Sequence, residues 1–206
     1  MQREEKSERS RRLILDAALH LFSHHGYGAT TMRDIADRAG VSTGAVYHHY
    51  SDKETLFRTL LDDYFAITHS LEYPFTRVTR GADVFPDNIE QLGYAARDSI
   101  RQYRQYLALT YVDVIEFGGT HIHKFYADIA ANLGQHLVAS GQLETISAKL
   151  RPGVSPVSAM LLTAWLYFNY FSTEILFGVE TPFGKTSSEV VSEVADIIRN
   201  GVCARD

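Results

Sequence analysis

One cysteine, Cys203, and one tryptophan, Trp165, occur in 206 residues. A lone thiol cannot close an intrachain disulfide, which excludes a disulfide-stapled secreted scaffold. Spanning a membrane takes about eighteen consecutive apolar residues, and no such run is present. The richest stretch, around residues 160–171, is too short and is broken by Asn169 and Glu174. The chain opens on polar and charged residues, unlike a signal peptide, so the expected compartment is the cytoplasm. Strand-like alternation is missing, as is any internal repeat, so sheet folds and solenoids are excluded. Nucleophile-elbow, phosphate-loop and dinucleotide-binding patterns are absent too. Nothing marks Cys203 as a nucleophile, and the chain does not read as an enzyme.

A basic excess is also lacking. The formal net charge is −5. Its distribution is uneven, however. Residues 1–58 hold nine Lys/Arg against eight Asp/Glu, and residues 59–206 hold eleven against seventeen. Arg3, Lys6, Arg9, Arg11 and Arg12 crowd the first dozen positions. An acidic body behind a neutral-to-basic head suits a protein that touches a polyanion with one end. Ordinary surface charge explains the same numbers as well.

What is present is helical spacing. Ile14, Ala17, Ala18, Leu21 and Phe22 follow a helical stripe that ends at Gly26. Thr31 with Asp34 opens a short second helix burying Ile35, Ala36 and Ala39, which stops at Gly40. A third runs from Ser42 to about Tyr50. The fourth opens with Ser51 and Glu54 in a capping-box pattern and carries Leu56, Phe57, Leu60, Leu61 and Tyr64. Residues 72–87 lack periodicity and read as a loop. From Asp87 and Glu90 one long helix is expected to reach about Phe117, broken at Gly118 and Gly119. Further helices are expected over residues 120–139 and 143–150. Ser155 and Pro156 start another, which runs to Phe177. Thr186 with Glu189 opens the last. The fold class is therefore all-α, with about nine helices and no sheet.

Residues 31–50, TMRDIADRAGVSTGAVYHHY, carry the functional signal. Two short helices are separated by a sharp turn that wants a glycine. The small Ala36 allows close approach, while Ile35, Val41 and Val46 bury the inner faces. Such a pair presents its second helix outward, the geometry that docks one helix in a DNA major groove. Thr31, Ser42 and Thr43 sit at helix starts, where hydroxyls and amides can meet phosphates. Tyr47, His48 and His49 can reach phosphates or base edges, and Lys53 can pair with a phosphate. Only Arg33 offers a base-reading fork; Thr43, Ala45 and His48 can meet thymine methyls or purine acceptors.

From about Arg11 to Leu61 the sequence resembles the DNA-binding head of the TetR family of transcriptional regulators. The resemblance rests on Ile14, Ala17, Ala18, Leu21, Phe22 and Gly26, then Thr31, Ile35, Ala36, Ala39 and Gly40. It continues through Val41, Ser42, Gly44, Tyr47, His49, Tyr50, Lys53 and Leu56. Tyr50 stands where the family usually has phenylalanine. The resemblance implies a homodimeric repressor that leaves a near-palindromic double-stranded operator when a small, largely apolar effector binds. It implies backbone contacts by Thr31, Ser42, Tyr47, His49 and Lys53, with Thr43, Gly44, Ala45 and His48 nearest the bases. It divides the chain into a DNA-binding domain, 1–58, and an effector-binding and dimerisation domain, 59–206.

The last long helices are apolar around most of their circumference, which calls for burial on several sides. Leu161, Phe168, Phe171 and Ile175, with Val190, Val194 and Ile197, are the expected dimerisation residues; a monomer core is the plainer reading. Tyr103, Tyr106, Tyr111, Phe117, Tyr126, Trp165 and Asn169 are the expected lining of an effector pocket, against the alternative of an aromatic core. His20 and His24 share a helix face and His121 and His123 do not. No third ligand completes a set, so neither a metal nor any other cofactor is expected. The competing reading is a small-molecule-binding or enzymatic helical protein whose head binds another protein, and the negative net charge is what favours it.

Overall fold

The computed structural model describes the backbone of residues 2–202 and the side chains of residues 4–201. Cys203 lies outside the described residues, as does the side chain of Arg3. Among the described residues there are eleven α-helices, one π-helical turn and no strand. They form two compact units, one holding the described chain up to Ala66 with Gln105–Lys124, the other Ile67–Arg104 with the chain from Phe125 onward.

The first unit contains α1 (Gln2–His25), α2 (Met32–Ala39), α3 (Thr43–His49), α4 (Lys53–Thr68) and α7 (Arg104–Phe117). Its core joins the helical stripe of α1, Ile14, Ala18 and Phe22, to Ile35, Val46, Leu56, Phe57, Leu60 and Leu61, all fully buried. Leu109 of α7 and Ile122 complete that core. The ring of Phe117 stacks on Phe57 at 5.2 Å and meets Tyr27 edge-on at 4.6 Å. A segment distant in sequence is therefore part of the same hydrophobic core as the helices around residues 31–50.

The helix starts follow local chemistry. Thr31 and Asp34 form the expected capping box, with Asp34 N donating to Thr31 Oγ1 at 3.1 Å and Thr31 N to Asp34 Oδ2 at 2.8 Å. At the start of α4 the expected Ser51–Glu54 box does not form. Asp52 caps instead, accepting from Thr55 N at 2.7 Å, and Ser51 donates to Asp52 at 2.8 Å. A carboxylate is the stronger acceptor for helix-end amides, so Asp52 wins the position from its neighbour.

The second unit contains α5 (Pro74–Thr79), α6 (Ile89–Gln102), α8 (His123–Ala139), α9 (Gln142–Lys149), α10 (Pro156–Phe171) and α11 (Ser187–Val202). Helix α6 packs against α5, α10 and α11. The expected loop over residues 72–87 contains α5, which begins on a proline at its first turn. The single helix expected from Asp87 to Phe117 is two helices, α6 and α7, interrupted at Tyr103. No glycine or proline marks that break. It falls where the chain passes from one compact unit into the other, and tertiary packing decides it. Helix α10 starts on Ser155 and Pro156 as expected and ends in a π-helical turn, Ser172–Leu176. The Thr186–Glu189 box forms, with Thr186 N donating to Glu189 Oε2 at 2.8 Å.

Candidate nucleic-acid interface

Helices α2 and α3 are joined at Gly40, which adopts φ 68° and ψ 32°. That left-handed backbone lets Gly40 N donate to Asp37 O at 3.3 Å and Val41 N to Ala36 O at 3.1 Å. The last carbonyls of α2 are thereby satisfied and the chain turns sharply. Ile35, Ala36 and Val46 face inward and are buried. The outer face carries exposed Arg33, Gly44, Tyr47 and His48, with Thr43, Ala45 and His49 half-buried. Tyr47 is 53% exposed, although its ring could pack in a core. The Arg33 side chain is 83% exposed and makes only a loose 3.9 Å pair with Asp37. Its guanidinium remains available to a phosphate or a base edge.

The hydroxyls expected to meet phosphates have local duties. Ser42 Oγ accepts from Ala45 N at 3.1 Å and caps α3. Thr31 Oγ1 donates to Asp34 Oδ2 at 2.6 Å while accepting from Asp34 N. Hydrogen bonds from Thr31 hold the Asp34 carboxyl below its ordinary range. Both hydroxyl residues shape the helix ends that point outward.

Lys53 is engaged as well. Its ammonium donates to Tyr27 O at 2.7 Å and Thr30 O at 2.8 Å, and lies 4.0 Å from the centre of the Tyr27 ring. Burial lowers its pKa, with Glu116 acting in the opposite direction. Beside it is an open cleft of about 490 Å³ lined by Tyr27, Asp52, Lys53, Glu54, Thr55 and Arg58. Two carboxylates there balance the two cations. The expected Lys53–phosphate contact is therefore limited to whichever ammonium proton the two carbonyls leave free.

Residues that the sequence did not connect with the helix-turn-helix support it from a distance. Glu116, near the end of α7, accepts from Tyr27 N at 2.7 Å and Gly28 N at 2.6 Å. Asp113, fully buried, accepts from the amides of His121 and Ile122 at 3.2 Å each. His121 Nδ1 lies 2.5 Å from Asp113 Oδ1, and its ring packs edge-on against Phe117. Polar residues so far from residues 31–50 gave no local signal; only the tertiary fold brings them to the head.

Residues 14–60 match the sequence profile described as bacterial regulatory proteins, tetR family. The helix-turn-helix region, residues 14–60, is thus similar to the DNA-binding region of TetR-family regulators. Over 56 residues, 25% of this chain and 28% of the relative, it is 48% identical to the HTH-type transcriptional repressor KstR2 of Rhodococcus jostii. The match thus spans less than a third of that relative. A TetR family transcription regulator from Marinobacter aquaeolei superposes with TM-score 0.66 at 17% identity, covering 100% of both chains. NalD, the secondary repressor of the MexAB-OprM multidrug efflux pump in Pseudomonas aeruginosa, gives TM-score 0.66 at 21% identity. There the match covers 98% of this chain and 100% of NalD. At these identities the likeness is one of fold. The TetR-like stretch ends within α4, so the contributions of Asp113, Glu116 and His121 lie outside it.

The expected effector-pocket residues are divided between the two units. Phe117 belongs to the core of the first unit, and Tyr106 stacks on Tyr64 there at 5.6 Å. Tyr111 is exposed in that unit. In the second unit Tyr103 packs on Tyr73 at 5.3 Å, and Tyr126 on Phe125 at 5.3 Å. Trp165 and Asn169 are exposed on α10. Aromatic composition signalled burial but not partners. Among the described residues of the second unit, the buried polar atoms that lack a hydrogen-bond partner are Asn88 Oδ1, His136 Nε2 and Tyr170 Oη.

The expected dimerisation stripe also divides. Phe171 and Val190 are buried within their own chain at 0% and 1% exposure. Leu161, Phe168, Ile175 and Val194 are half-buried. Ile197 is exposed, as are Leu162, Trp165 and Leu166, which share one face of α10. The outward face is therefore turned from the stripe that spacing suggested, because a helix apolar all round does not announce which side its own chain covers. His20 and His24 stack at 4.2 Å on α1. Among the described residues no group of three His, Cys, Asp or Glu is placed to hold a metal, and no helix is long and apolar enough to cross a membrane.

Proposed function

We propose that this protein is a homodimeric transcriptional regulator that represses by binding a near-palindromic operator and releases it when a small, largely apolar effector binds. The observation that carries the reading is the outward face of α3. A short helix is held between two capped ends, and an aromatic residue as large as Tyr47 stands in solvent. An exposed tyrosine with Thr43 and His48 on the same helix, and an exposed Arg33 on α2, suits contact with a phosphate backbone and base edges.

Dimerisation is supported by the apolar face of α10, with Leu162, Trp165 and Leu166 open to solvent, and by Ile197 on α11. Two such helix pairs from two subunits make a four-helix bundle. A two-fold dimer places two α3 helices about one DNA turn apart, hence an inverted-repeat operator. An effector site within the second unit is supported by the buried unpaired atoms of Asn88, His136 and Tyr170, since buried polar groups ordinarily have partners. An apolar molecule with one or two polar groups suits such surroundings. KstR2 and NalD are named as repressors, which agrees with this reading.

The test is binding to a duplex from the promoter of the protein's own gene, titrated with salt. Specific affinity that falls steeply with salt is the expected result. Absence of specific binding favours the alternative, a head that contacts another protein.

A further inference from the structure

The turn between α1 and α2, residues 26–30, is held from two sides by opposite charges. Lys53 takes two of its carbonyl oxygens, those of Tyr27 and Thr30. Glu116 takes two of its amides, with Oε1 on Tyr27 N and Oε2 on Gly28 N. Thr30 closes the turn internally, its hydroxyl donating to Gly26 O at 2.9 Å. The next residue, Thr31, caps α2. Whatever positions this turn therefore positions the start of the helix-turn-helix.

The fit of the carboxylate is specific to the residues of the turn. A Cβ added at Gly26 or at Gly28 would stand 3.0 Å from a Glu116 oxygen. Gly26 also needs its positive φ of 82°, but no positive φ is required at Gly28. An alanine at 28 would therefore press on the Glu116 carboxylate and displace it by a few tenths of an ångström. Both oxygens of one carboxylate on consecutive amides make a charge-assisted, two-point contact that fixes direction as well as distance.

We infer that Glu116 is a positioning residue for DNA binding: through it α7 sets the orientation of the α1–α2 turn, and hence of α2 and α3. This rests on the regulator reading above. The contact is short and charged, and its other anchor is rigid. Phe117 beside it is stacked on Phe57, and Asp113 ties down the backbone just after it. Glu116 is itself part of α7, so a shift of α7 along its axis is carried into the turn through this contact.

Glu116 is an anion on the unit that meets a polyanion. Removing its charge strengthens DNA binding if electrostatics alone matters. If Glu116 positions the turn, Glu116→Gln weakens binding, because an amide offers one acceptor and turns a donor toward the second N–H. The expected loss is about tenfold, the scale of one charged hydrogen bond.

The experiment uses the full chain and a labelled duplex from the promoter of its own gene, at a temperature well below unfolding. Wild type, Glu116→Gln, Gly28→Ala and the double variant are compared in a cycle. In the same proteins the amide protons of Tyr27 and Gly28 are followed by NMR and by hydrogen exchange. The expected result is weaker binding by both single variants and little further loss in the double. The two amide signals should shift and lose exchange protection, with helical content unchanged. Glu116→Gln binding as tightly as wild type, or more tightly, overturns the inference. Additive losses, or amide signals that do not move, overturn it too. No specific binding by the wild type removes the regulator reading itself and this inference with it.

Discussion

The Tyr167 hydroxyl donates to the Val191 carbonyl oxygen at 3.1 Å, across the backbone of Gly93. A Cβ at Gly93 would come within 2.9 Å of the Tyr167 ring and 3.0 Å of Val191 Cγ2. Three helices, α6, α10 and α11, thus approach each other at a residue without a side chain. Burial raises the Tyr167 pKa far above its ordinary range, so the hydroxyl keeps its proton throughout physiological pH. Gly93→Ala is expected to destabilise the chain by about 1–3 kcal/mol through overpacking, read from denaturant unfolding. Tyr167→Phe removes this hydrogen bond, while the Val191 carbonyl keeps its place in the α11 ladder, and should cost about 1 kcal/mol. An unchanged unfolding midpoint in Gly93→Ala would show that α6 stands further from its neighbours.

The capping of α2 and α4 predicts an acid sensitivity of the first unit. Hydrogen bonds from Thr31 lower the Asp34 pKa, and the Thr55 amide followed by the Ser51 hydroxyl lowers that of Asp52, both from an ordinary 3.8. A carboxyl with a lowered folded pKa contributes stability that is present above its unfolded value. That contribution disappears as pH falls through the folded value. The first unit should therefore begin to lose helicity below about pH 4 from these two groups. Asp34→Asn and Asp52→Asn should flatten the dependence in circular dichroism titrations. Thr31→Ala removes the cap at all pH and should cost about 1 kcal/mol.

Tyr47 and Lys53 are expected to separate in their effects. Tyr47 projects from α3 into solvent, so Tyr47→Ala should weaken DNA binding with little change in melting temperature or in sequence preference. Lys53 holds two carbonyls of the α1–α2 turn, so Lys53→Met should lower both affinity and stability, the latter by about 1–2 kcal/mol. Paired melting and binding measurements decide this. A Lys53→Met protein of normal stability would return that lysine to a phosphate-contact role alone.

Trp165 is the single tryptophan and is 53% exposed on α10. If that face is the dimer surface, its fluorescence should shift to the blue as protein concentration rises through the dissociation constant. Leu166→Glu should give a folded monomer in analytical ultracentrifugation, because a charge buried at an apolar seam lacks a partner. Dimers that persist in Leu166→Glu would place the interface elsewhere.

Much of the head was legible in residue order. Gly26 and Gly40 mark backbone that must turn left-handed, Thr31 with Asp34 caps locally, and apolar spacing names the inner faces. These signals act within a few residues, so they survive reading in one dimension. The break at Tyr103 was illegible, as neither glycine nor proline stands there, and the helix divides only because its two halves join different cores. Ser51 and Glu54 had the right spacing for a cap, yet the adjacent Asp52 takes the capping position one residue later and accepts from Thr55 N.

By itself the sequence determined an all-helical chain with a helix-turn-helix at residues 31–50, because capping, turning and one-sided burial are short-range. Tertiary structure alone decided that Phe117 completes the core of the head and that Glu116 reaches the amides of Tyr27 and Gly28. It also decided that Phe171 and Val190 face inward while Trp165 faces out. Those outcomes depend on which surfaces meet across 80 residues or more in the case of Glu116, which accepts from partners 88 and 89 positions away. Hydrophobic spacing records that a face is covered and does not record by what.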